Sequence, residues 1–198
     1  MEGMTRVFRY LSHPQVCIDP DIPVPDWRLS EKGVQRTQAF SRSELLQDTR
    51  SISSSAERKA VDTATILAAK CRLDVFVREG THENDRSATG FLEPEAFETV
   101  ANQFFAAPNE SVRGWERAAD AQNRIVTEAM RVIKHAPDGD ILMVGHGGVG
   151  TLLFCYLAGL EIDRAHDQPA GGGNVFAYDL EQDSILHAWR PMESLLDS

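Results

Sequence analysis

Apolar positions along the 198 residues form two kinds of run that take turns along the chain. Short β-rich or continuous apolar stretches at 6–11, 51–54, 74–77, 141–144, 175–178 and 185–188 each predict a strand. Between them, apolar residues recur in steps of three and four. Ala60, Ala64, Leu67 and Ala68 share one face of a helix predicted over 57–70. Trp115, Ala118, Ala119, Val126, Ala129 and Ile133 do the same for a long helix over 114–135. Ser30 is a suitable N-cap for a helix over 31–46, Pro94 suits the first turn of another, and an apolar helix is expected over 149–160. Pro14, Pro20, Pro23 and Pro25 keep the loop between the first strand and the first helix irregular. Strands alternating with helices predict a three-layer α/β/α sandwich with a mostly parallel central sheet. The uninterrupted run 141–144 reads as a central parallel strand, buried on both faces. There is no repeat and no linker, so residues 1–198 are expected to form one domain.

Composition changes this picture little and charge changes it more. With 42% hydrophobic and 25% charged residues, the chain is ordinary for a globular protein. It has no apolar run of about 18 residues, which argues against a membrane span. Its first residues lack the apolar stretch of a secretory signal, so the expected location is the cytoplasm. The formal net charge of -10 argues against nucleic acid or an anionic membrane as partner. Any site for an anion must then be a local cluster of positive charge. Cys17, Cys71 and Cys155 are scattered, without metal-ligand spacing, and Cys155 sits in an apolar run that reads as core.

In open sheets of this kind, ligands bind beyond the carboxyl ends of the strands. Two histidines fall at such ends. His13 follows the first strand and is capped by Pro14, which suggests an exposed ring. His146 lies in Val144-Gly145-His146-Gly147-Gly148, between the buried strand and a helix start, where glycines let a ligand approach the backbone and N–H groups attract anions. The other histidines have simpler readings: His135 at a helix end, His187 in a strand, His166 in a polar loop and His82 on an extended segment.

Five short patterns, in order along the chain, resemble the histidine phosphatase superfamily, also called phosphoglycerate mutase-like. Ser12-His13-Pro14 stands where the family has Arg-His-Gly, with the histidine as nucleophile. Leu29-Ser30-Glu31-Lys32-Gly33 matches the opening of a family helix, Leu-Thr-x-x-Gly. In the serine-rich segment 53–64, anchoring on Ala60 and Thr63-Ala64 puts Lys59 at the family's second phosphate-binding arginine, with Arg58 beside it. Glu83 matches the general acid that follows the third strand, and His146 the second histidine. The resemblance implies a phosphoglycerate mutase-like fold and a metal-independent phosphatase without cofactor. It would act on a small phosphorylated substrate or a phosphoprotein, through a phosphohistidine on His13. Ser12, Arg58, Lys59, Arg86 and Gly147 are then the expected phosphate ligands, beside His13, Glu83 and His146.

The chemistry suits those residue types. A neutral imidazole can attack phosphorus and split hydrolysis into two easier steps, cationic donors stabilise charge on the transferring group, and a carboxylic acid can protonate the leaving oxygen. Both neighbours of His13 depart from the pattern. Ser12 carries no charge, and Pro14 removes a backbone N–H. Arg86 or Arg9 could supply the missing charge. Two other readings stay open: a phosphoglycerate mutase, which would need a further basic patch, and a non-catalytic phospho-ligand or protein-binding module on the same fold.

Overall fold

The computed structural model describes residues 6–196. Its six strands form one sheet: β1 (Val7–Ser12), β2 (Thr49–Ser55), β3 (Val75–Arg78), β4 (Asp140–Gly145), β5 (Asn174–Asp179) and β6 (Ser184–Pro191), in spatial order β3-β2-β4-β1-β5-β6. The first four run parallel, and β5 and β6 close the sheet antiparallel. Helices α1 (Glu31–Phe40) and α2 (Arg58–Cys71) cover one face. Helices α3 (Pro94–Ala106), α4 (Ala118–His135) and α5 (Gly147–Leu157) cover the other. This is the expected three-layer sandwich with a mostly parallel sheet. Strand alternation divides the core: Ile141 and Met143 join Phe8 and Tyr10 against α4 and α5, while Leu142 and Val144 join Leu11 against α1 and α2. That two-sided burial is why 141–144 is apolar at every position.

Two helices are shorter than their periodicity predicts. The helix expected over 31–46 ends at Phe40, because the Ser43 hydroxyl accepts from the Leu45 N–H and starts a separate short 3-10 turn. The helix expected from 114 starts at Ala118, because Arg113 and Gly114 take left-handed backbone angles (φ 51° and 81°). Trp115 lies outside the helix but is still core, its indole N–H donating to Thr89 Oγ1 at 2.9 Å. The most deeply buried stripe of α4 is Ala118, Ala121, Ile125, Ala129 and Val132, so Ala119, Val126 and Ile133 flank it rather than lead it.

Candidate active site

Register brings the two histidines together. β1 and β4 are parallel neighbours with Ser12 opposite Gly145, so the next residues, His13 and His146, leave the sheet side by side. The His13 N–H donates to the Gly145 carbonyl at 2.9 Å. The two rings meet edge to face, 5.3 Å between centroids. His13 is half-buried rather than exposed as its proline neighbour suggested.

A carbonyl fixes the tautomer of His13, and a hydroxyl faces the ring of His146. The Nδ1 of His13 lies 2.8 Å from the Pro14 carbonyl, which can only accept, so Nδ1 carries the hydrogen and Nε2 keeps its lone pair. Burial, with the nearby Lys59 ammonium, lowers His13 to about 4, so the ring is neutral at pH 7. His146 is fully buried, and burial outweighs the Glu57 and Glu83 carboxylates and lowers it to about 3. Its Nε2 lies 2.8 Å from the Ser55 hydroxyl, which accepts from the Glu57 N–H at 3.2 Å and can give its own hydrogen to the ring. With the Ser55 hydrogen on Nε2, the hydrogen of His146 is on Nδ1, a buried atom with no partner among the described residues. An unsatisfied buried donor is costly unless a ligand completes it.

Tyr10 holds His146 from below. Its hydroxyl accepts from the His146 N–H at 2.9 Å and donates to the His146 carbonyl at 3.1 Å. Burial raises this phenol far above its ordinary range, so it remains a donor. Gly145 makes the contact possible: a Cβ there would lie 2.1 Å from the Tyr10 oxygen.

A carboxylate that the sequence did not flag organises the rest. Glu57, at the N-cap of α2, is buried. One oxygen pairs with the Lys59 ammonium; the other accepts from the Glu83 N–H at 2.8 Å and lies 3.5 Å from His146 Nε2. Burial alone would raise this carboxyl, but His146 and Lys59 outweigh it and hold it down at about 2. Lys59 also donates to the Val24 carbonyl at 2.9 Å, so two of its three N–H bonds are taken and one remains.

The other expected ligands divide. Glu83 is present, but as the cap of α5: its carboxylate accepts from the N–H groups of Gly148 at 3.1 Å, Val149 at 2.9 Å and Asn84 at 3.0 Å. The expectation that N–H groups at the start of this helix stand open to phosphate is corrected accordingly, although Glu83 does not engage Gly147. Arg58 points away, its side chain exposed and paired with Asp62 at 2.8 Å, the outward position that the first turn of α2 gives a neighbour of buried Lys59. Ser12 is not open either: its buried hydroxyl donates to Gln168 Oε1 at 2.5 Å and accepts from the Asn174 N–H at 3.1 Å. Gln168 is a further residue the sequence did not flag. Asn174 also donates to its Oε1, at 2.9 Å, and its Nε2 faces Gly147, where a Cβ would come within 2.1 Å. Of the two arginines suggested to replace the missing charge, Arg9 is buried and paired with Asp140 at 2.6 Å, at the opposite end of the strands. Arg86 lies over the Phe97 ring at 4.9 Å and lines the cavity beside Glu57 and Glu83.

The sequence pattern of the histidine phosphatase superfamily (branch 1) matches residues 22–188. The chain belongs to this superfamily. The match begins after His13, so the altered neighbours of that residue lie outside it. No protein of curated function matches the chain in sequence. Among solved structures, a phosphoserine phosphatase from Entamoeba histolytica in complex with 3-phosphoglyceric acid superposes with a TM-score of 0.76 at 16% identity, covering 96% of this chain and 100% of that one. A mycobacterial glucosyl-3-phosphoglycerate phosphatase with inorganic phosphate gives 0.71 at 22% identity, covering 93% and 94%. A structure described as a putative alpha-ribazole-5'-P phosphatase from Escherichia coli gives 0.73 at 18% identity, covering 94% and 98%. At these identities the likeness shows the shared fold. Among the described residues, no helix is long and apolar enough to cross a membrane.

Proposed function

We propose that this histidine phosphatase superfamily member is a metal-independent phosphomonoesterase working through a phosphohistidine on His13. The observation that carries the reading is the histidine pair: a lone pair on His13 Nε2 beside His146 Nδ1, a buried ring nitrogen without a partner among the described residues. The first can form a bond to phosphorus while the second takes a phosphoryl oxygen. In the first step the N–P bond forms and the ester P–O bond breaks; a monoanionic ester gives its proton to the Glu83 carboxylate, which passes it to the leaving alkoxide. In the second, water attacks phosphorus, Glu83 takes its proton, and the N–P bond breaks. The sum is ester plus water giving alcohol plus phosphate. Lys59, with its remaining N–H, Arg86 and the Gly147 N–H supply charge and donors around the phosphoryl oxygens, and Glu57 positions Lys59 and His146. Ser12 acts at one remove by orienting Gln168.

A mutase has less support. Its substrates carry a carboxylate beside the phosphate, whereas the adjoining cavity presents one guanidinium among several carboxylates. The test is hydrolysis of p-nitrophenyl phosphate with EDTA present, comparing wild type with His13→Ala, together with recovery of acid-labile, base-stable phosphoprotein after rapid quenching. Activity that survives EDTA and disappears with His13 is expected. A His13→Ala variant as active as wild type would overturn the mechanism, and a wild type that neither turns over nor traps phosphate would favour a binding module.

A further inference from the structure

The cavity beside the two histidines has a volume of about 810 Å³. That is in the range of pockets that enclose a whole small molecule, so it has room for the alcohol half of an ester. Its walls come from two loops: the proline-rich one between β1 and α1, and the segment that follows β3. His13, Lys59, His146 and Gly147 lie outside its wall; the cavity ends at Glu57 and Glu83, which contact His146 and the start of α5. The phosphoryl group belongs at that end, and the rest of the substrate must extend between the loops.

Those loops carry charge of the wrong sign for an anion. Asp21 and Asp26 face the cavity from one loop, and Glu79 and Asp85 from the segment opposite. None of the four is in an ion pair among the described residues. Arg86 is the one Lys or Arg side chain on the wall. A separate observation points to a ligand in the same cavity. Asn84, 6% exposed and on the wall, has an amide nitrogen with no partner among the described residues. It stands next to Glu83, where the ester and phosphoryl oxygens of a bound substrate would offer it an acceptor.

From this juxtaposition we infer that the substrate is a phosphate monoester whose alcohol carries a positive charge, such as a phosphorylated amino alcohol, with its ammonium among Asp21, Asp26, Glu79 and Asp85. The inference rests on the phosphatase reading and narrows it. Carboxylates gathered around a concave, partly apolar wall focus their field, which attracts a cation and repels an anion. An ester with a cationic alcohol brings a compensating charge to the mouth while its phosphoryl group goes to His13, His146 and Lys59. An ester with an anionic alcohol meets the carboxylates uncompensated. The wall thus selects by charge at one end and leaves the chemistry at the other end unchanged.

The experiment compares kcat/KM for phosphoethanolamine, phosphocholine, ethyl phosphate and 3-phosphoglycerate, for wild type and for the Asp21→Lys, Asp26→Lys double variant. Both positions are exposed, so the exchange should leave folding intact. Wild type should prefer the cationic esters over ethyl phosphate by at least about tenfold, and 3-phosphoglycerate should be poorest. In the double variant the order should compress or reverse, and raised salt should compress it in wild type. Ratios between esters cancel any general loss of activity. Calorimetric binding of the same four esters to the His13→Ala variant reads the preference without turnover. An equal or better response to 3-phosphoglycerate, or ratios unchanged in the double variant, overturns the inference. If p-nitrophenyl phosphate is hydrolysed while no cation preference appears, this inference fails and the phosphatase reading stands. If nothing is hydrolysed but the binding preference holds, the phosphatase reading fails, and with it the claim of a substrate, while the charge preference of the cavity stands as that of a binding module.

Discussion

Replacing Glu57 by Gln keeps the shape of the side chain and removes its charge. The glutamine oxygen can still accept from the Glu83 N–H, now 2.8 Å from Glu57 Oε1. Its NH₂ would then face the Lys59 ammonium, donor against donor. Lys59 is 3% exposed, so its charge would keep the Val24 carbonyl but have no counter-ion. Breaking a buried pair from one side costs about 3–5 kcal/mol, mostly because the surviving charge is left uncompensated. For a chain of this size that is a fall in melting temperature of about 6–20 °C. Lys59→Met removes the orphaned charge as well, so the double variant should recover much of the loss, with a coupling energy of about 2 kcal/mol or more. Urea denaturation of the four proteins at pH 7.5 measures both quantities. A Glu57→Gln variant within about 1 kcal/mol of wild type, or simple additivity in the double variant, would refute the account of Glu57 as the counter-charge that makes Lys59 tolerable.

Acid should weaken the fold from pH 6.5 downward. His13 and His146 are lowered to about 4 and about 3, so between those values and the ordinary 6.5 the unfolded chain binds protons that the folded chain refuses. Stability present above pH 6.5 is lost as the pH falls. Glu57, held down at about 2, adds a loss in the same direction at still lower pH. The urea midpoint should drop between pH 7.5 and 4.5, less steeply in a His146→Asn variant; a flat profile would contradict the buried neutral pair. Tyr10→Phe leaves the His146 N–H without its partner, while the carbonyl keeps the Gly150 N–H at 3.1 Å, and should cost about 1–3 kcal/mol. Because it also loosens the ring that carries the free Nδ1–H, kcat should fall while KM changes less, and an unchanged kcat would show that Tyr10 serves stability alone.

The sequence carries the layers and both histidines legibly because each depends on local pattern. Alternation and the run 141–144 report burial on one face or two, and a histidine directly after such a strand must emerge at the sheet's carboxyl edge. What it does not carry is partnership across distance. Glu57 and Gln168 are ordinary polar residues until the fold sets the first against His146, 89 positions away, and the second against Ser12, 156 positions away. Arg58 and Lys59 look equivalent as neighbours, and only the direction of the first turn of α2 buries one and exposes the other. The early end of α1 and late start of α4 have the same origin, since a serine side chain and two left-handed residues outweigh a periodicity that runs through them.

The carboxylate of Glu83 rests where a free anion would otherwise settle, on the second and third N–H groups of α5. A competitor attached to the chain acts at an effective concentration of about millimolar or higher, whatever the solution contains. The Gly147 N–H stands outside that arrangement, so a phosphate seated there need not displace the rival but finds the next two helix donors closed to it. Release of product is helped by what the site withholds. One side chain on the segment after β3 thus sets how many backbone donors an anion can reach.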